Sequence, residues 1–146
     1  MKKAVLLVSK RFPASHERCG ELTGFREKLL KGKIHTIREN GNYWQKKAKL
    51  IESGEAYLSI REWTGKPYCS PQAEILQLPK VGVQTITMSW TANDTMPVVC
   101  IDGKQFFDLK TLAANDGLEQ SDFLSWFFAT KNDFQGVILH FTEFRY

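Results

Sequence analysis

The sequence has few cysteines and no long apolar run, and both absences limit what the protein can be. Its three cysteines, among 146 residues, are widely spaced and odd in number, which argues against a disulfide framework or a zinc cluster. No apolar segment approaches the roughly 20 residues that cross a bilayer. The apolar run at 4–8 is too short for the core of a signal peptide. We therefore expect a cytoplasmic protein with no membrane partner, no cofactor and no metal site.

Several motifs for catalysis and ligand binding are also missing. The glycines that precede residue 33 are not spaced to cradle phosphates between a strand and a helix, and no nucleophile elbow is present. The three histidines, His16, His35 and His140, lie far apart in sequence and form no paired metal-ligand motif. His140 lies within an apolar segment, which is typical of a hydrogen-bonded core histidine.

The basic residues are concentrated in the first third of the chain. Residues 1–49 carry 13 basic and 4 acidic residues, a net charge of +9, whereas residues 50–146 have a net charge of −5. A positive segment of this kind attracts phosphate-bearing partners such as RNA or a nucleotide. The alternative is a lysine-rich surface that is simply solvated.

Alternating and β-branched segments predict eight strands, and four segments with capping residues predict short helices. The strands are expected over 4–9, 33–38, 55–63, 72–78, 84–90, 97–101, 104–107 and 136–144. The helices are expected to be capped by Thr23, Asn42, Asp108 and Ser121 and to end near residues 32, 54, 117 and 130. The Asp102-Gly103 pair predicts a hairpin. The chain is therefore predicted to be one α+β domain, residues 1–146, with a mixed, mostly antiparallel sheet or small β-barrel flanked by short helices.

The most informative residues for chemistry surround Thr36. This threonine lies beside His35 and among the basic residues Lys31, Lys33 and Arg38. A threonine hydroxyl is a poor nucleophile unless a base or a cation activates it, and Lys33 could be that base if its pKa were lowered. Arg38 could hold a phosphate or the acceptor edge of a base. The alternative is a strand with a threonine chosen for β propensity and basic residues that are solvated.

Strand geometry restricts how Lys33 could meet Thr36. Residues of opposite parity point to opposite faces of a strand, so we predict that Lys33 lies in the turn after Gly32, before the strand begins. An acidic partner would have to come from elsewhere. The acidic candidates are Asp116, Glu62 and Glu74. Aromatic side chains near the basic region could stack on a base or belong to the core. They are Tyr43, Trp44, Trp63 and Tyr68.

Four segments resemble the ASCH family, which belongs to the PUA-like superfamily of small β-barrel domains. The segments are TGFREKLLKGKIHTIR, LSIREWTGKPY, AANDGLEQSDFLSWF and VILHFTEFRY. The resemblance implies a PUA-like fold and RNA binding in a cleft beside the basic strand. Some small members are amidohydrolases that remove the acetyl group from acetylcytidine nucleosides, using a K-x-x-T motif and a glutamate. By this resemblance the lysine is Lys33, the threonine is Thr36 and the acid is Asp116, which is one methylene shorter than glutamate.

These observations lead to two main hypotheses and a third, simpler one. In the first, a basic cleft beside 33–38, edged by the long loop at 10–22, binds RNA or a nucleotide. Its ligand-binding residues would be Lys10, Arg11, Arg18, Lys31, His35, Arg38, Trp63 and Tyr68. In the second, an amidohydrolase deacylates a modified nucleoside, with Thr36 as nucleophile, Lys33 as base and Asp116 as the orienting acid. The third is a non-catalytic interaction protein with a PUA-like fold.

Overall fold

The computed structural model describes residues 1–146 and contains eight strands and four helices, in the order predicted from the sequence. The strands are β1 (Lys2–Leu7), β2 (His35–Arg38), β3 (Ala56–Trp63), β4 (Gln72–Leu78), β5 (Gly82–Ser89), β6 (Val98–Ile101), β7 (Lys104–Phe106) and β8 (Asp133–His140). The helices are α1 (Phe25–Leu30), α2 (Gly41–Glu52), α3 (Leu109–Asn115) and α4 (Gln120–Phe128). None of the helices has the length and apolar character needed to pass through a lipid bilayer.

Two separate sheets form the framework. The first has the strand order β1-β3-β4 and the second has the order β2-β8-β5-β6-β7. β1 and β3 are parallel, and every other pair is antiparallel. The predicted α+β class is therefore confirmed, but the sheets do not close into a barrel. At one edge the Arg38 guanidinium donates through Nη2 to the carbonyl of Leu7 at 2.8 Å, so a side chain links the sheets where no strand pairing does.

One hydrophobic core draws on both sheets and on all four helices. Successive side chains of a strand point to opposite faces, and the alternating burial along β5 places Ile86 and Met88 in this core. Leu58 of β3 and Phe123 of α4 are also fully buried. Full burial of side chains of this size contributes about 1.5–3 kcal/mol each. His140, on β8, is fully buried among them and bonds to Gln84, which confirms the predicted core histidine.

The helix starts differ from the predictions at three of the four helices. The residues at the N-caps of α1, α2 and α4 are Gly24, Asn40 and Glu119, where the sequence predicted Thr23, Asn42 and Ser121. The Thr23 hydroxyl donates to the carbonyl of Ser9 at 2.7 Å and so ties the start of α1 to the chain that follows β1. Asp108 is confirmed as the N-cap of α3, because its carboxylate accepts from the backbone N–H of Thr111 at 3.1 Å.

The turn before β2 sets the geometry of the site. α1 ends at Leu30, and Gly32 has a φ of +108°, a conformation that other residues rarely adopt. Lys33 follows, and β2 begins only at His35. Lys33 therefore lies in the turn, as its spacing to Thr36 predicted, and the strand predicted over 33–38 begins two residues later than expected.

Candidate functional site

A cavity of about 450 Å³, which we call the first cavity, opens beside β2. Its polar lining includes Lys33, Thr36, Arg38 and Asp116. Aromatic side chains from α1, α4 and β8 complete its wall. They are Phe25, Trp126, Phe127 and Phe134. Pockets for small molecules typically measure about 300–1,000 Å³ and combine apolar walls with a few polar groups. The three residues of the hydrolytic hypothesis thus line one cavity of a size suited to a small ligand.

Lys33 enters the first cavity from the turn that follows α1. Its backbone N–H donates to the carbonyl of Lys28 at 2.7 Å, and its ammonium nitrogen lies 4.0 Å from the centre of the Phe25 ring. Gly117 borders the lysine stem: a Cβ built there would lie 3.2 Å from Lys33 Cδ, and the residue has a φ of +80°. The Asp116-Gly117 pair therefore needs glycine both for its backbone conformation and for the space that Lys33 occupies.

The pKa of Lys33 is lowered from 10.5 to about 8, chiefly because the side chain is buried. The carboxylate of Asp116 raises this pKa, while the positive charges of Arg38 and Lys28 lower it further. The ammonium forms no ion pair with a carboxylate within 4.0 Å, and its contact is the face of Phe25. With such a pKa, roughly a quarter of the lysine is neutral near pH 7.5, and the neutral amine is the form that can act as a base.

Arg38 and Thr36 lie on the same face of β2 and are joined directly. Arg38 Nε donates to Thr36 Oγ1 at 3.3 Å. The Thr36 hydroxyl is buried and bonds to no protein acceptor, so its proton is available to a base or a ligand. Burial lowers the pKa of Arg38 and Asp116 opposes this effect, but a guanidinium remains charged near neutral pH. A fixed cation beside Thr36 can stabilise negative charge that develops there.

A chain of hydrogen bonds behind the first cavity holds Asp116. His35 Nδ1 donates to Asp116 Oδ1 at 3.3 Å, and the Tyr146 hydroxyl donates to His35 Nε2 at 2.6 Å. The same hydroxyl accepts from Asn115 Nδ2 at 2.9 Å, which leaves its single proton for His35. Burial raises the pKa of Tyr146 to about 12, so the hydroxyl keeps that proton. His35 is fully buried and therefore orients Asp116 rather than lining the cavity.

The loop at 10–22 docks against α4. His16 Nε2 donates to the carbonyl of Asp122 at 2.9 Å, and its ring packs 4.3 Å from that of Phe12. Arg18 Nη1 pairs with the Asp122 carboxylate at 2.7 Å, and Arg18 Nε pairs with Glu21 at 3.3 Å. Two carboxylates therefore neutralise Arg18, and this arginine does not line the first cavity.

Four of the predicted ligand-binding residues gather in a second cavity instead of the first. The second cavity measures about 440 Å³, and its lining includes Lys10, Arg11, Trp63 and Tyr68. Lys31 is exposed and lines neither cavity. The residues predicted to form one basic cleft are thus divided among two cavities, the outer surface and, for His35, the buried interior.

The other acidic candidates form ion pairs with arginines outside the first cavity. Glu62 pairs with Arg26 at 3.3 Å, and Glu74 pairs with Arg61 at 3.8 Å. Of the three acids that the sequence suggested, Asp116 is the one that lines the first cavity.

Tyr146 and Trp126 are site residues that the sequence reasoning missed. Tyr146 reaches His35 because its backbone N–H donates to Gln84 Oε1 at 2.9 Å, a contact between residues far apart in sequence that leaves no local signal. Trp126 belongs to an aromatic-rich helix, which indicates an apolar wall but not the cavity that the wall faces.

Comparison of the chain with protein-family models, with curated proteins and with solved structures finds no match. No group of three or more His, Cys, Asp or Glu side chains is arranged to hold a metal ion.

Proposed function

We propose that the first cavity binds an acylated nucleoside and hydrolyses its exocyclic amide, which releases a carboxylic acid and the free nucleoside. The observation that carries the proposal is that Lys33, Thr36 and Asp116 line one cavity in which burial lowers the pKa of the lysine to about 8. A perturbed pKa within a cavity is a general mark of functional sites. The resemblance of the sequence to the ASCH family supports the same activity, and membership of that family is part of the proposal.

In the first step Thr36 Oγ1 attacks the acyl carbon, and the neutral amine of Lys33 takes the hydroxyl proton. The carbonyl oxygen becomes negatively charged, and the guanidinium of Arg38, which already bonds to Thr36, stabilises that charge. The lysine ammonium then gives its proton to the departing amine nitrogen of the base. The amide bond breaks, and the acyl group remains as an ester on Thr36.

In the second step water attacks this ester, with Lys33 again accepting a proton. Lys33 returns that proton to the Thr36 oxygen as the carboxylic acid leaves. The carboxylate of Asp116 favours the ammonium form of Lys33, so it assists the stage of each step in which the lysine carries the proton. The aromatic wall supplies an apolar surface for the base of the nucleoside.

The distribution of the basic residues favours a compact site for one nucleoside in the first cavity over an extended groove that follows a phosphate backbone. An RNA groove presents a row of solvated cations that follows the phosphates. Here Lys33 is buried, Arg18 pairs with two carboxylates and Lys31 lies outside both cavities. Three charged groups that line the first cavity, Lys33, Arg38 and Asp116, surround one small volume beside Thr36, as a catalytic site requires.

A second candidate function is binding of a nucleotide or of RNA without hydrolysis. One observation favours it: the Thr36 hydroxyl accepts a hydrogen bond from Arg38 and has none with Lys33. In this case Arg38 would hold a phosphate or the acceptor edge of a base, and Lys33 would supply a further positive charge.

Acetate release from acetylcytidine tests the proposed hydrolysis. We expect the wild-type protein to release acetate, and Thr36→Ala and Lys33→Ala each to lower the rate by at least about 100-fold. Lys31→Ala is the matched control, because this lysine belongs to the same segment but lines neither cavity. A protein that binds the nucleoside without releasing acetate would support the second candidate. Full activity in both site variants would exclude hydrolysis by this site.

A further inference from the structure

The second cavity combines exposed cations with aromatic rings. Lys10 and Arg11 follow β1, Trp63 ends β3, and Tyr68 lies in the connection from β3 to β4. No acidic side chain is among the residues that line this cavity. Cationic side chains that follow phosphates, together with aromatic rings that stack on bases, are the composition of sites for single-stranded nucleic acid.

Core packing does not account for the conformation of Tyr68. The residue is 86% exposed and has a φ of +63°, in the left-handed region that side chains other than glycine rarely adopt. Its ring centre lies 5.1 Å from that of Trp63. An exposed aromatic ring on a strained backbone gains little from burial, whereas a stacked base would cover its apolar face. Tyr68 and Trp63 therefore form a surface on which a base can stack.

The charges of Lys10 and Arg11 are free to meet a ligand. Arg11 Nη1 donates to the carbonyl of Gly20 at 2.9 Å, and Lys10 Nζ donates to the carbonyl of Thr64 at 3.5 Å. Neither residue forms an ion pair, in contrast to Arg18. Contacts of such cations with phosphates position a nucleic acid without reading its sequence.

The two cavities adjoin at the end of β1. Ser9 is exposed and lines both of them. Arg38, which lines the first cavity, donates to the carbonyl of Leu7, which lines the second. A dinucleotide would fit these linings, with one base against the aromatic rings of each cavity and its linking phosphate among the cations that line them. We propose, on the basis of the function proposed for the first cavity, that the second cavity binds the neighbouring nucleotide of an RNA segment, so that the substrate is a modified base within RNA.

Calorimetric titration of the whole protein with cytidine and with dinucleotides tests the inference. The dinucleotides carry the second nucleotide on either the 5′ or the 3′ side of cytidine. We expect one of them to bind at least about tenfold more tightly than cytidine, because stacking of a base on an aromatic ring has an effect of that size. Tyr68→Ala should remove most of this gain and leave the affinity for cytidine unchanged.

Tyr43→Ala is the matched control for this experiment. Tyr43 is 48% exposed and packs against Trp44 on α2, and it lines neither cavity. The paired replacement of Lys10 and Arg11 by alanine should reduce the slope of log affinity against log salt by up to about 0.7, since the dinucleotide has one linking phosphate and each phosphate contact on a single strand contributes about 0.7. A loss of the dinucleotide gain in Tyr43→Ala as large as that in Tyr68→Ala would overturn the inference.

The outcome for the second cavity is separable from that for the proposed function. Equal affinities for cytidine and both dinucleotides would overturn the inference, and acetate release from acetylcytidine would still stand as evidence for hydrolysis. A gain for one dinucleotide that depends on Tyr68 would support the inference even if no acetate were released, and hydrolysis would then be the part that fails.

Discussion

Replacing Lys33 by methionine is expected to stabilise the protein, because the native lysine is buried at a cost in stability. Burial lowers its pKa from 10.5 to about 8. A pKa lowered by roughly 2.5 corresponds to about 3 kcal/mol of folding free energy lost near neutral pH. Methionine has a similar length and no charge, so it can occupy the same space. Lys33→Met should therefore raise the free energy of unfolding by up to about 3 kcal/mol at about pH 7.

The gain in stability should depend on pH in a defined direction. Well below pH 8 the lysine is protonated in both the folded and the unfolded chain, and the folded state bears the full cost of the buried charge. Between pH 8 and 10.5 the folded lysine loses its proton while the unfolded lysine keeps it. Since the unfolded state then binds more protons, the stability of the wild type rises with pH relative to that of the variant. The advantage of Lys33→Met should shrink across this interval.

Urea unfolding of both proteins at about pH 7 and about pH 10 measures the effect. Other groups that titrate in this interval are present in both proteins, so their contributions cancel in the difference. Lys31→Met is the control, because Lys31 is exposed and its replacement should change the stability little at either pH. A Lys33→Met variant that is less stable than the wild type at the lower pH, or a difference that does not change with pH, would show that burial of the Lys33 charge does not destabilise the fold.

Three further predictions concern the surroundings of the first cavity. Gly117→Ala should lower the free energy of unfolding, measured in urea, more than Gly103→Ala does. Both substitutions place alanine at a positive φ, which destabilises the fold by about 1–2 kcal/mol. Only at Gly117 does the added Cβ also contact nearby lysine side chains. Equal losses would contradict this. Tyr146→Phe should lower the free energy of unfolding by about 1–3 kcal/mol and slow acetate release, because His35 loses a hydrogen bond. Unchanged stability and an unchanged rate would show that Tyr146 does not support the site through His35. His16→Ala should loosen the loop at 10–22 against α4, although Arg18 still pairs with Asp122, and so speed limited proteolysis of the loop. An unchanged cleavage rate would exclude anchoring by His16.

The order of the strands and helices could be predicted because it depends on local patterns. Alternation of apolar and polar residues marks β5, and the Asp102-Gly103 pair takes positive φ values of 50° and 80° in the hairpin that it predicts. The start of α2 was less well defined. Residues 40 and 42 are both asparagine, and Asn40 lies at the N-cap because β2 ends at Arg38, only two residues earlier.

The division of the strands into two sheets that do not close could not be predicted, because it depends on pairing between distant residues. β1 pairs in parallel with β3, so that Lys2 faces Ala56, and no sequence motif marks this choice. The contact between the sheets at Leu7 comes from the side chain of Arg38. An arginine in a basic segment is more readily interpreted as a ligand for phosphate than as a link between two sheets.

The candidate site was predictable where it depends on strand parity and not where it depends on packing. The position of Lys33 before β2 follows from its spacing to Thr36. The sequence shows how many charges a segment has but not which of them are neutralised, so the pairing of Arg18 with Asp122 was missed. The hydrogen bonds that connect Asp116 to His35 and His35 to Tyr146 were also missed, because they join residues that are far apart in sequence.

The pKa of Lys33 is the quantity that tests the account most directly. An NMR titration of the whole protein can follow this side chain, with its signal assigned by comparison with Lys33→Met. We expect a midpoint of about 8, and a lower midpoint in Asp116→Asn because the carboxylate raises the pKa of the lysine. A midpoint near 10.5 in both proteins would show that Lys33 is an ordinary solvated lysine and would contradict the account.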